Sequence, residues 1–153
     1  TRTTTNVPSD RGLENPYGPL WRWTGGCKCF IQSDASGGLS EFYVCDTPAN
    51  FTSSGVAGYE LRGYLPRVEG YVKKIIVGEY GENMPAEVGG SSTTYFSDYF
   101  YTDKPETGVQ ERAVLFGGYA DAGAFAGFVF AATINTATDT HAAIGSRLCF
   151  IPA

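Results

Sequence analysis

The sequence predicts a single α+β domain built mainly from short strands and loops, with little helix. Three observations carry that expectation. Gly 20, Pro 8, Tyr 10 and Phe 10 in a chain of 153 residues favour turns and pleated, half-buried surfaces over long amphipathic helices. Aromatic and β-branched residues gather in short runs bounded by Gly, Pro, Asn and Ser. No internal repeat and no Ser/Pro-rich linker divides the chain, and its length suits one domain with a real core.

The elements follow in order. The best helical candidate is one short turn within residues 9–17, capped by Ser9 or Asp10 and ended by Pro16. Residues 29–32 and 41–45 read as strands around a hairpin turn at Gly37-Gly38. Residues 49–66 show no clear period and read as a long surface loop. A strand is expected over residues 70–77, followed by a Gly/Pro/Asn loop through Pro85. Residues 92–101, rich in Thr, Tyr and Phe, form the next strand, and 114–116, 127–131 and 147–151 complete the set.

A net charge of -5 and a pI near 4.8 oppose a nucleic-acid partner, whose phosphates attract a basic face, and Lys73-Lys74 is the one basic doublet. Membrane insertion is not expected, because the apolar run 122–134 is shorter than the roughly 20 residues of a spanning helix. No signal peptide is seen, and a chain beginning at Thr1 reads as processed or as part of a longer one. Cys27, Cys29, Cys45 and Cys149 are read first as buried thiols, with two disulfides or a zinc site as alternatives. The redox compartment stays open.

Catalytic parts are scarce, and no enzyme is expected. His141 with Asp139 lacks a nucleophile elbow, a metal-binding helix or a phosphate loop around it, and reads as an exposed loop histidine. Glu79, Glu82 and Glu87 flank the Gly/Pro loop, as calcium ligands or, more simply, as solvated charges. Asn50-Phe51-Thr52 is a glycosylation sequon by pattern. No cofactor and no metal is expected.

Two features stand apart. Trp21 and Trp23, both tryptophans of the chain, lie two apart and share a face of any extended backbone. From Ala113 to Ala153 there is no Lys, Glu, Gln, Met or Trp, although all five occur earlier, and Asp121, Asp139 and Arg147 are the only charged side chains.

Together these features resemble the C-type-lectin-fold variable proteins of diversity-generating retroelements, found on phage tails and some bacterial surfaces. Gly12-Leu13-Glu14-Asn15-Pro16-Tyr17-Gly18-Pro19-Leu20-Trp21-Arg22-Trp23 is similar to the family's opening motif, shared with the formylglycine-generating-enzyme-like fold. Gly89-Gly90-Ser91-Ser92-Thr93-Thr94-Tyr95 with Asp98-Tyr99 resembles the middle block. Ala113-Val114-Leu115-Phe116-Gly117-Gly118 and Ile144-Gly145-Ser146-Arg147-Leu148 resemble the fixed flanks of the variable region, about residues 113–148. One departure is Ala120, where the family often has Trp.

The resemblance implies a C-type-lectin-like fold and a variable region rewritten at adenines of asparagine codons. Such rewriting reaches Tyr, Asp, Ala, Phe, Ile, Thr and His but never Lys, Glu, Gln, Met or Trp. The positions it marks as ligand-binding are Tyr119, Asp121, Ala122, Phe125, Ala132, Ile134, Asn135, Asp139, His141 and Ala143, with Gly123, Gly127, Gly145 and Arg147 as scaffold. It implies an adhesin that attaches a phage to a host receptor, protein or glycan, as part of a virion tail or fibre tip and as a homo-oligomer, such as a trimer. A bacterial-surface or pilus-tip adhesin is the alternative. A formylglycine-generating-enzyme-like oxidase would need a copper-binding cysteine pair in the C-terminal half, where only Cys149 lies. Calcium-dependent sugar binding lacks its E-P-N, Q-P-D or W-N-D tripeptide.

Overall fold

The computed structural model describes residues 20–145, together with the backbone of Ser9–Asp10 and Leu13–Glu14. Strands β1 (Ser9–Asp10) and β2 (Leu13–Glu14) pair with each other; β3 (Trp21–Gln32), β4 (Ser40–Val44), β5 (Glu60–Leu65), β6 (Gly70–Val77), β7 (Asn83–Val88), β8 (Tyr99–Thr102), β9 (Val109–Phe116), β10 (Ala131–Thr133) and β11 (Ile144–Gly145) build one sheet. Helix among the described residues is limited to two 3-10 turns, Pro48–Asn50 and Gly123–Phe125. None is long and apolar enough to cross a membrane.

Strand order in the sheet is β5-β4-β3-β9-β10-β8-β6-β7, with β11 laid parallel on the first residues of β3. Most pairs are antiparallel, and β10 with β8 is parallel. A register shift between Trp23 and Lys28 puts extra residues of β3 opposite β9. That bulge lets β3 take β11 as a neighbour at its start and β4 further on. The two end strands meet. Gly63 of β5 has room for no side chain against Ile76 of β6, and Arg62 Nε donates to Glu82 Oε1 at 2.7 Å beside the start of β7. Glu60 and Glu79 add further ion pairs to Arg62, and the Tyr80 ring lies 4.8 Å from its guanidinium. The sheet thereby comes close to closing as a barrel, which covers both unpaired edges.

Side-chain alternation along these strands separates two cores. Cys29, Ile31, Phe42, Val72, Met84, Phe100, Val114, Val129 and Ala131 fill the inside. Trp21, Leu115, Ala122, Phe130 and Ala132 form a second cluster, with Tyr99, Tyr101 and Tyr119 packed on it. Consecutive residues of β8, β9 and β10 thus enter different cores. Burial on both faces explains why this stretch reads as unbroken apolar sequence rather than as an alternating one.

Several sequence expectations need correction. Residues 9–17 show no helical turn where they are described: Ser9 pairs with Glu14 and Asp10 with Leu13 as antiparallel strands. The supposed loop 49–66 contains β5, whose pattern is hidden because Leu61 and Tyr64 face solvent at this seam strand. The loop expected through Pro85 ends at Glu82; Pro85 is tolerated in β7 because that strand ends the sheet. The strand expected over 92–101 is confined to β8. Residues 91–97 form a turn-rich loop in which Tyr95 and Ser97 take positive φ, 59° and 60°. The last sheet strand before the C-terminal flank begins at Ala131 rather than at 127. The expected strand 147–151, with Arg147 and Cys149, lies outside the described residues.

Cys27, Cys29 and Cys45 carry free thiols. Burial, with help from Glu82, pushes the Cys27 thiol up to about 12, and Cys29 is raised still more firmly by full burial. Glu82 is buried against Arg62, whereas Glu79 and Glu87 stay exposed to solvent while pairing with Arg62 and with Lys73 and Lys74.

Candidate functional site

The candidate positions share a cleft of about 580 Å³ beside β11. Its floor is Trp21, Tyr101, Leu115 and Tyr119, and its wall is Ile134, Asn135, Asp139, Thr140, His141, Ala143 and Ile144. Six of the ten candidate positions (Tyr119, Ile134, Asn135, Asp139, His141 and Ala143) therefore converge on one surface.

Backbone pairing sets the floor. The Trp21 N–H donates to the Ala143 carbonyl at 2.8 Å, so the end of the 134–143 loop is tied to the start of β3. Tyr119 stacks on Trp21 with centroids 6.0 Å apart and planes at 29°. Tyr101 meets Trp21 edge-on at 6.5 Å, and Phe130 supports the indole from below at 4.6 Å. Aromatic pairs of this kind add about 0.5–1.5 kcal/mol each beyond their buried area. The row continues away from the cleft: Tyr99 lies 4.8 Å from Tyr101, and Tyr71 and Phe125 close on Tyr99 at 5.2 and 5.4 Å. Phe125 thus sits at the far end of one aromatic strip whose near end is Tyr119. Tyr-x-Tyr at 99 and 101 is the sequence signal that marks two of these rings for one face, and it lies in a segment read only as a framework strand.

The wall is held by its own polar groups. Asp139 Oδ2 accepts from the Thr136 N–H at 2.9 Å and from Asn135 Nδ2 at 3.3 Å, while Oδ1 accepts from Thr136 Oγ1 at 3.0 Å. The Thr136 amide and hydroxyl, then Asn135, keep the Asp139 carboxyl below its ordinary pKa. His141 Nδ1 accepts from the Ala143 N–H at 3.1 Å, which leaves Nε2 to carry the proton of the neutral ring. The Asn135 carbonyl accepts from the Ala113 N–H at 3.0 Å and anchors the loop on β9. Asp139 and His141 therefore shape the wall as well as facing the cleft.

Four candidates lie elsewhere. Ala122 and Ala132 are 3% and 1% exposed inside the second core and offer no surface to a ligand. Their small size is a packing requirement against Trp21 and Phe130, which composition alone could not distinguish from variability. Asp121 is exposed on the turn before Gly123–Phe125, and Phe125 is partly exposed on the aromatic strip.

Gly118 of the first flank and the scaffold Gly127 have steric causes, whereas a Cβ on Gly123 would meet nothing and one on Gly145 only an ordinary contact with Leu20. A Cβ on Gly118, whose φ is 88°, would stand 2.7 Å from the Phe130 ring. One on Gly127 would stand 2.1 Å from Asp98 Oδ1. Asp98 Oδ2 accepts the Val129 N–H at 2.7 Å, which joins the residues before β8 to those before β10. Burial holds the Asp98 carboxyl above its ordinary pKa, against the Val129 N–H that favours its charged form.

A second hollow, of about 460 Å³, lies on the other side of the 136–138 turn, between it and Phe51, Thr52 and Tyr59. None of the ten candidates lines it. Its buried Lys28 is fully engaged, donating to Glu111 Oε1 at 2.8 Å, Thr52 Oγ1 at 2.9 Å and the Gly55 carbonyl at 2.8 Å. Among the described residues no group of three or more His, Cys, Asp or Glu side chains converges to hold a metal ion.

No protein-family model, curated protein or solved structure matches this chain.

Proposed function

We propose that the chain is a ligand-binding adhesin domain of C-type-lectin-like fold, diversified by a retroelement, and that it attaches a phage to a receptor on its host. The observation that carries the reading is that six of the positions the resemblance marks, Tyr119 and five within residues 134–143, line one aromatic-floored cleft. The floor suits binding: Trp21, Tyr101 and Tyr119 are rigid rings of the type that dominates interface hot spots. The surrounding framework supports a surface that changes, since Gly118, Gly127 and β11 fix the flanks by contacts that do not involve the cleft side chains. A shallow cleft binds weakly by itself, and display of several copies on a homo-oligomeric tail fibre raises avidity.

The deciding experiment is to sequence the DNA around the coding segment for residues 113–148. The expected result is a nearby reverse-transcriptase gene and a near-copy of that segment that differs only at adenines. A near-copy whose mismatches fall equally on other bases, or no copy at all, overturns the retroelement reading.

A further inference from the structure

The chemistry around the cleft selects a class of ligand, an inference that rests on the cleft being the contact surface. Three of its features act together. Tyr119 and Tyr101 line the hollow, and an aromatic face presents the negative side of its quadrupole. Asp139 stands on the wall with its carboxylate oxygens held by three donors. No lysine or arginine lines the cleft among the described residues; Arg112 acts on Asp139 only from the far side of its loop, where the second hollow lies.

Among the described residues, an anionic ligand entering this space would face the Asp139 carboxylate and no cation. A strongly hydrated ammonium ion would lose water for only partial compensation. A cation whose charge is spread over methyl groups loses little hydration and gains attraction from every ring face within about 6 Å. We propose that the cleft binds an alkylated ammonium group of the trimethylammonium kind, seated against Tyr119 and Tyr101, with Asp139 supplying the opposite charge.

The test titrates the full chain, at constant ionic strength, with choline and with its uncharged tert-butyl analogue, which keeps the shape and removes the charge. Trp21 in the floor reports occupancy by fluorescence, with Trp23→Phe used as background to isolate its signal, and calorimetry gives an independent reading. Choline is expected to saturate the protein at a concentration about tenfold lower than the analogue. Tyr119→Leu, which keeps bulk without a π face and whose folding is checked by its melting transition, is expected to reduce that preference to about twofold or less. Equal binding of the two compounds, or saturation by neither, overturns the inference. A neutral methyl glycoside is the third arm: if it saturates the parent chain but not the Tyr119→Leu variant, the contact surface stands and only the charge selection falls. The DNA test above judges the retroelement reading on its own.

Discussion

At Gly127 a single hydrogen atom decides what the backbone can do. The Asp98 carboxylate occupies the place of a Cβ, and the same carboxylate holds the Val129 N–H that starts the turn into β10. Gly127→Ala is therefore expected to cost about 2–3 kcal/mol in chemical denaturation, the range of a buried steric clash. Most of that cost should vanish in an Asp98→Ser background, because the clashing oxygen is gone; equal costs in both backgrounds would show that the strain lies elsewhere. Glu87 sets a pH dependence of its own. Hydrogen bonds from Lys73 and then Lys74 lower its carboxyl from 4.5 to about 2. A depressed carboxylate pKa stabilises the folded chain above the unfolded value and loses that contribution as pH falls through the folded one. The melting temperatures of the parent and of Glu87→Gln should thus differ most above about pH 5 and converge toward pH 2. A gap that widens on acidification would contradict the sign.

Among the elements, what could be read from residue order depended on how each strand is buried. The strand at 70–77 and the hairpin at Gly37-Gly38 were legible because turn residues bound them and, in the hairpin, β4 keeps an alternating face. The seam strand β5 was not, since Leu61 and Tyr64 face outward, only Leu65 of its apolar residues is buried, and Gly63 and an ion-paired Arg62 interrupt the pattern. Tyr99 and Tyr101 were assigned to a strand but not to the site, because their partners Trp21 and Tyr119 come from opposite parts of the chain. Lys28 was invisible as an anchor for the same reason. A single buried ammonium ties residues 52 and 55 to Glu111 of β9, and it lies 5.1 Å from the Tyr59 ring. Lys28→Met leaves Glu111 half-buried without its partner. It should cost about 1–3 kcal/mol and raise proteolytic nicking within residues 46–58 well before global unfolding. Unchanged cleavage there would mean that the loop is held by Phe51 and Tyr59 alone.

For the whole molecule, closure of the sheet rests on one corner. Arg62 meets Glu60, Glu79 and Glu82 where the end strands approach, and the Glu82 side chain is only 5% exposed there. Arg62→Ala is expected to raise hydrogen exchange in β5 by about tenfold or more while β9 and β10, in the middle of the sheet, stay protected. Uniform loss of protection across all strands would show that the corner stabilises the fold globally rather than locking a seam. The cleft lies away from this corner, among β3, β8, β9 and β11. Seam opening and ligand contact should therefore be separable, and Arg62→Ala should leave Trp21 fluorescence unchanged.

Asn135 and Asp139 share a hydrogen bond, and both depend on the backbone of Thr136. Substitution at either position changes the lobe that carries the other, so their effects form one epistatic unit rather than two independent choices. A library randomised at both sites would sample loop shapes as well as side chains. The number of functional solutions would fall short of the product of the residues allowed at each, and selected clones would show paired preferences at 135 and 139.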